Sequence, residues 1–276
     1  MKAPEFLNSW RPVTYRGYKI SKKGMPSVTD RQERIKGYDQ QKLKNSIILA
    51  IGAGGLGSEI GEGVVRKGIG KLILYDPDYI DITNLNRQKF YPKDIGKNKA
   101  ICLSKNLKNE STCGTFLQAF PYAIEKHIEE NKVPFFNVAV IGVDSYDTRL
   151  RVSEYLLKVN KPGIFLGVSE DTDRGYIFVQ EHRGPCFSCI FPRHKDSGRK
   201  PCPSVPAVKD ILKTVVGPAL FAIDSILMNL KRNWNFWLLS LSGYIPDIKF
   251  THEKRLNCEL CSIQLGVGGK NEKSLW

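Results

Sequence analysis

Four glycines follow an apolar run in Gly52-Ala-Gly54-Gly-Leu-Gly57, three of them spaced as a G-x-G-x-x-G loop. Glycines at this spacing let a phosphate approach the backbone. A helix starting there adds unpaired N–H groups and the positive end of its dipole. Asp76 ends the next apolar run, where a carboxylate accepts hydrogen bonds from ribose hydroxyls. On these residues alone an NAD-binding unit is the leading reading. No Gly-Lys is followed by Ser or Thr, which excludes a P-loop. The run Asp76-Pro-Asp-Tyr-Ile-Asp-Ile-Thr-Asn84-Leu-Asn-Arg87-Gln88 shifts the balance. It sets acids, amides and an arginine just beyond a strand's C-terminal edge, where open α/β sheets bind ligands. Hydride transfer needs no such density of phosphate-binding groups. The Arg87 fork and the Lys99 point charge suit neutralising a triphosphate while its α-phosphorus is attacked. Asp144 ends a further apolar run at the same edge, where its carboxylate could hold Mg2+.

Four of the seven cysteines form two pairs, Cys186-x-x-Cys189 and Cys258-x-x-Cys261. Two such knuckles supply four thiolates to one tetrahedral zinc and leave no open position, so the site is read as structural. His194 and His252 lie near the pairs but are not needed to complete the set. Cys102 and Cys113 read as core thiols, the usual fate of free cysteine. Cys202 sits beside Arg199 and Lys200, cations that favour the nucleophilic thiolate.

Elements that must carry these groups are legible from periodicity. Strands are expected over 46–51, 71–76, 115–119, 137–143 and 164–168. Helices are expected to follow them to about 67, then over about 97–109, 121–130 and 147–159. Leu56, Ile60 and Val64 share one helix face, as do Ala100, Leu103 and Leu107. Strands alternating with helices imply an α/β, Rossmann-like, mainly parallel sheet covered by helices on both faces. Beyond 170 the pattern changes to strands at 175–181, 235–241 and 247–251, a loop over 184–206 and a long helix at about 207–232. The expected organisation is an arm and short helix over 1–45, a nucleotide-binding half over 46–170, and a zinc-stapled C-terminal half over 171–276. The 276 residues carry 42 Lys and Arg against 28 Asp and Glu, a net charge of +14. That excess favours acidic partners, but the basic residues are dispersed and carry no nucleic-acid motif, so a nucleotide or acidic protein fits as well. The apolar runs are strand-sized, too short to span a bilayer, and no secretory leader is visible. The expectation is a cytoplasmic protein with no membrane contact.

The stretch from Gly52 to Lys99, with Asp144-Ser-Tyr-Asp147-Thr-Arg149, resembles the adenylation domain of the ubiquitin-activating-enzyme superfamily, which includes ThiF, MoeB and HesA. The resemblance covers roughly residues 30–261, and Asn84-Leu-Asn-Arg-Gln88 with the downstream lysine is its most specific part. It implies ATP-dependent adenylation of the C-terminal carboxylate of a small ubiquitin-like or sulfur-carrier protein. By position it implies that Asp76 binds ribose, Arg87 and Lys99 bind and polarise the phosphates, Asn84 and Gln88 orient them, and Asp144 places Mg2+. Arg31-Gln32 matches an N-terminal pair whose arginine reaches the partner subunit's site, which implies a homodimer. Cys202 falls in the loop where thioester-forming members carry their cysteine, so a conjugating enzyme or a sulfurtransferase could receive the activated carrier. The same chemistry on a peptide antibiotic precursor or in tRNA modification, an inactive scaffold subunit, and an NAD dehydrogenase are the competing readings.

Overall fold

The computed structural model describes residues 12–192 and 208–261. Its centre is a run of five parallel strands. In chain order these are β2 (Ile47–Ile51), β3 (Lys71–Tyr75), β4 (Phe116–Phe120), β5 (Val138–Ile141) and β6 (Gly163–Val168), lying side by side as β4-β3-β2-β5-β6. Chain order runs outward from β2 on one side to β4, then jumps back across β2 to β5. The loops after β2 and β5 therefore diverge and open a crevice, the place where such sheets take ligands. An antiparallel strand β1 (Val13–Arg16) extends the sheet beyond β4. Antiparallel β7 (Arg174–Gln180), β8 (Phe236–Ser240) and β9 (Ile248–Phe250) extend it beyond β6, giving nine strands among the described residues.

The central strands are apolar at every position because both faces are covered. Ile48, Ala50, Leu72 and Leu74 face a layer of α3 (Gly55–Lys67), α4 (Lys99–Glu110) and α8 (Lys209–Met228). Leu49, Ile51, Ile73 and Tyr75 face α5 (Ile124–Glu129), α6 (Tyr146–Lys158) and the short α7 (Phe187–Ile190). The helix faces read from the sequence point inward: Ile60, Ala100, Leu103 and Leu107 are fully buried, and Leu56 and Val64 nearly so.

Several elements depart from the sequence reading. The polar N-terminal stretch contains β1, whose alternate residues are half-buried against β4. Edge pairing needs only one moderately apolar face, a weak signal in a polar context. Two further helices stand there, α1 (Asp30–Glu33) and α2 (Gln40–Asn45), the second capped by the Asp39 side chain accepting from Lys42 N–H. The loop over 184–206 is not structureless where it is described, because α7 forms around the first cysteine pair. The reading that every apolar run is too short to span a bilayer also needs correction. At 20 residues α8 is long and apolar enough by composition. It is a core helix, with Ile211, Val215, Ala219 and Ala222 fully buried in the cluster shared with α3, β6 and β7.

Candidate active site

The crevice at the switch point is a cavity of about 590 Å3. The glycine loop forms its floor. Gly52 has φ +97, and a side chain there would sit 2.9 Å from the Gly142 carbonyl oxygen. A Cβ on Gly57 would lie 1.9 Å from the Gly52 carbonyl, so the turn into α3 closes only without one. Gly52 N–H donates to the Tyr75 carbonyl at 2.8 Å, and Gly142 N–H to the Ile51 carbonyl at 2.9 Å. These bonds continue the ladders of β2 past the strand and hold the three loop ends in register.

Asp76 follows β3 and is buried, 6% exposed. Its two oxygens accept from Ala53 N–H at 2.6 Å and Asp78 N–H at 2.8 Å. Burial pushes its pKa up to about 6, against the pull of the Ala53 N–H, Lys99 and the Asp78 N–H. Lys99 begins α4, mostly buried, and pairs with Asp78 at 2.9 Å. Asn98 caps α4 by accepting from Ile101 N–H, and its amide donates to the Asp76 and Asp78 carbonyl oxygens at 2.9 and 3.1 Å. One side chain thus ties the strand end to the helix start. The sequence reading did not single out Asn98, although Asn is a common N-cap residue.

The run after Asp76 folds back as a tight turn. Asp81 and Asn84 cap each other reciprocally across a single 3-10 turn, Ile82–Asn84. Asn84 is thereby spent on backbone geometry and does not line the cavity. Arg87 lines it, with its guanidinium steadied by the Thr83 carbonyl at 2.8 Å and the Asn86 side chain at 2.9 Å. Gln88 also lines it, buried, and its Oε1 has no hydrogen-bond partner among the described residues. From β5, exposed Asp144 lines the same space beside Ser145, which caps α6 by accepting from Thr148 N–H. Gly52, Gly54, Asp76, Arg87, Gln88, Lys99 and Asp144 thus converge on one cavity. Arg31 does not: it is exposed on α1 and does not line this cavity. Cys202 lies outside the described residues.

Beyond Arg149, the sequence did not point to the far wall. Arg149 is 7% exposed and donates to the Tyr176 hydroxyl at 2.9 Å and the Leu166 carbonyl at 2.6 Å. Tyr176, Phe187 and Phe191 complete an aromatic arm of the cavity beyond β6. Apart from Arg149, which closes the Asp144–Arg149 run, no local pattern marks these residues, because they come from different elements.

The two cysteine pairs meet. The four sulfurs lie within 4.8 Å of one another, with Cys186–Cys261 at 3.0 Å, Cys189–Cys261 at 3.3 Å, Cys186–Cys258 at 3.4 Å and Cys186–Cys189 at 3.7 Å. Four thiolates at about 2.3 Å from zinc would stand about 3.8 Å apart, so the cluster fits the ion with small outward shifts. Burial pushes the Cys186 and Cys261 thiols up, Cys261 to about 11, whereas at Cys258 the N–H groups of Cys261 and Leu260 with the neighbouring thiols outweigh burial and bring it to about 6. A thiolate is the form that ligates metal.

Fold and cavity define a Rossmann-like nucleotide-binding protein. The ThiF family profile matches residues 29–233, and the chain belongs to the ThiF family. The sulfur carrier protein adenylyltransferase of Thermus thermophilus is 26% identical over 230 residues, 80% of this chain and 84% of that protein. The adenylyltransferase and sulfurtransferase MOCS3 of Xenopus laevis is 27% identical over 232 residues, 81% of this chain but 50% of that one. The ubiquitin-like modifier-activating enzyme 5 of Dictyostelium discoideum is 31% identical over 175 residues, 57% and 45% of the two chains. The chain thus spans most of the Thermus protein and about half of the other two. Among solved structures, Escherichia coli MccB with AMPCPP and MccA superposes with a TM-score of 0.66 at 22% identity, over 80% of this chain and 68% of that one.

Proposed function

We propose that the chain adenylates the C-terminal carboxylate of a small ubiquitin-like or sulfur-carrier protein at the expense of ATP. The observation that carries this reading is the single cavity in which the glycine loop, Asp76, two cations and Asp144 converge. The triphosphate lies on the loop N–H groups with ribose on Asp76. The acceptor carboxylate oxygen forms a bond to the α-phosphorus, and the bond from that phosphorus to the bridging oxygen of pyrophosphate breaks. Arg87 and Lys99 stabilise the charge that gathers on the phosphates, Lys99 exchanging Asp78 for phosphate. Gln88 orients the phosphates, and Asn84 acts at one remove by fixing the turn that presents Arg87. Asp144 would hold Mg2+, which when bound neutralises the leaving pyrophosphate. The aromatic arm takes the carboxyl end of the acceptor, and Zn2+ on the four cysteines staples β7 to the C-terminal segment. Arg31, remote from its own cavity, serves a partner's site in a homodimer.

Exchange of labelled pyrophosphate into ATP tests the chemistry and the substrate together. It is expected with a carrier ending in Gly-Gly and not with the same carrier amidated at its terminus. Exchange supported only by a short peptide would move the substrate to a peptide precursor. Absence of exchange with every carboxylate offered, while ATP still binds, would refute adenylation. Trapping a thiol-sensitive enzyme–carrier complex that Cys202→Ala abolishes would add the thioester step.

A further inference from the structure

With phosphates on the loop after β2 and ribose on Asp76 after β3, the base is directed onward past β3, because β4 is the next strand in the sheet. The wall there comes from Ile124 and Glu125 at the start of α5, and from Val143 and Thr148 beyond β5. Ile124 and Val143 suit the faces of a purine ring. Glu125 is half-buried, and its Oε1 accepts from the Thr148 hydroxyl. Its Oε2 makes no hydrogen bond among the described residues. The helix carrying it is anchored: His127, 3% exposed, shares hydrogen bonds with the Tyr75 hydroxyl at 2.5 Å and the Tyr122 hydroxyl at 3.1 Å. Tyr75 immediately precedes Asp76, so one buried imidazole couples the ribose-binding strand to the wall bearing Glu125.

We propose that Glu125 selects the base: its untethered carboxylate oxygen accepts a hydrogen bond from the 6-amino group of adenine and makes the site prefer ATP to GTP and ITP. This rests on the adenylation reading. Guanine and hypoxanthine carry a carbonyl oxygen at position 6, which would face the carboxylate lone pair to lone pair. Guanine and hypoxanthine can still donate from N1–H, and guanine from its 2-amino group as well, but only after the ring slides away from the position that presents the 6-amino group of adenine. Thr148 holds Oε1 and with it the orientation of the carboxylate. A ring shifted in this way gives up part of its packing between Ile124 and Val143, and an unshifted one leaves the carboxylate oxygen unmet.

The test is calorimetric titration of ATP, GTP and ITP, each with Mg2+, into wild type, Glu125→Ala and Thr148→Val without any acceptor. A hydrogen bond to a charged group is worth roughly 10–100-fold in affinity. Wild type is expected to prefer ATP by about that factor. Glu125→Ala should lose it by weakening ATP alone, with GTP and ITP changed by no more than about twofold. Thr148→Val should erode the preference in the same direction and by less. An ATP preference that survives Glu125→Ala, equal weakening of all three nucleotides, or a wild type that prefers GTP would each overturn the proposal while leaving adenylation standing. A wild type that binds no nucleotide would overturn the adenylation reading and this inference together.

Discussion

Asp76 should make nucleotide affinity and stability depend on pH in opposite directions, and the size follows from its burial. Its pKa stands at about 6 against an ordinary value of 3.8. Two pKa steps correspond to about 3 kcal/mol as an upper bound. A raised carboxylate pKa means that the folded state holds the proton more tightly than the unfolded one. The stabilisation is therefore fully present below about pH 4 and lost as the pH rises through about 6. Other carboxylates titrate over the same range, so the difference between wild type and Asp76→Asn isolates this group. Urea unfolding of both proteins at intervals from pH 4 to 7.5 should show the Asn variant gaining on wild type by up to about 3 kcal/mol with rising pH. ATP should act the other way, since ribose hydroxyls donate to the ionised carboxylate. Its Kd should rise below pH 6 by at most about tenfold per pH unit in wild type and stay flat in the variant. A constant stability gap, within about 0.5 kcal/mol across the range, would show that Asp76 is already ionised at pH 4 and that the burial argument is wrong.

Asp144 is exposed and makes no hydrogen bond among the described residues, so Asp144→Ala should leave the melting temperature unchanged. Pyrophosphate exchange should fall by roughly 10²–10³-fold, and exchange at the wild-type rate would remove Asp144 from the metal site. Cys258→Ser should release about one Zn2+ per chain and lower the melting temperature, because structural zinc binding is folding energy. A metal-free variant as stable as wild type would discard the zinc assignment. Mixing inactive Arg31→Ala with inactive Asp144→Ala should partly restore exchange if each arginine serves its partner's cavity; no recovery on subunit exchange would refute the dimer. Leu103→Ala, at a fully buried position of α4, should cost about 2–5 kcal/mol in urea unfolding with ATP affinity retained.

The sequence by itself determined the parallel core, because strands covered on both faces must be apolar at every position and their helices at every third or fourth. It also determined the glycine loop, Asp76 and the cysteine spacing, where the chemistry needs particular residue types at short range. What it left open has a common cause. The edge strand β1 is stabilised by β4, whose sequence lies a hundred residues away, so its own residues hardly announce it. Asn84 proved to brace a turn rather than line the cavity, since a local capping contact captured its side chain. Tyr176, Phe187 and Glu125 carry no motif, and Arg149 closes the Asp144–Arg149 run with nothing local to say which wall it forms. They become one surface only because the crossover after β4 brings α5 beside α6, and because β7 folds back antiparallel on β6. Short-range spacing records what one loop must do, whereas the far wall of a cavity exists only once distant elements pack.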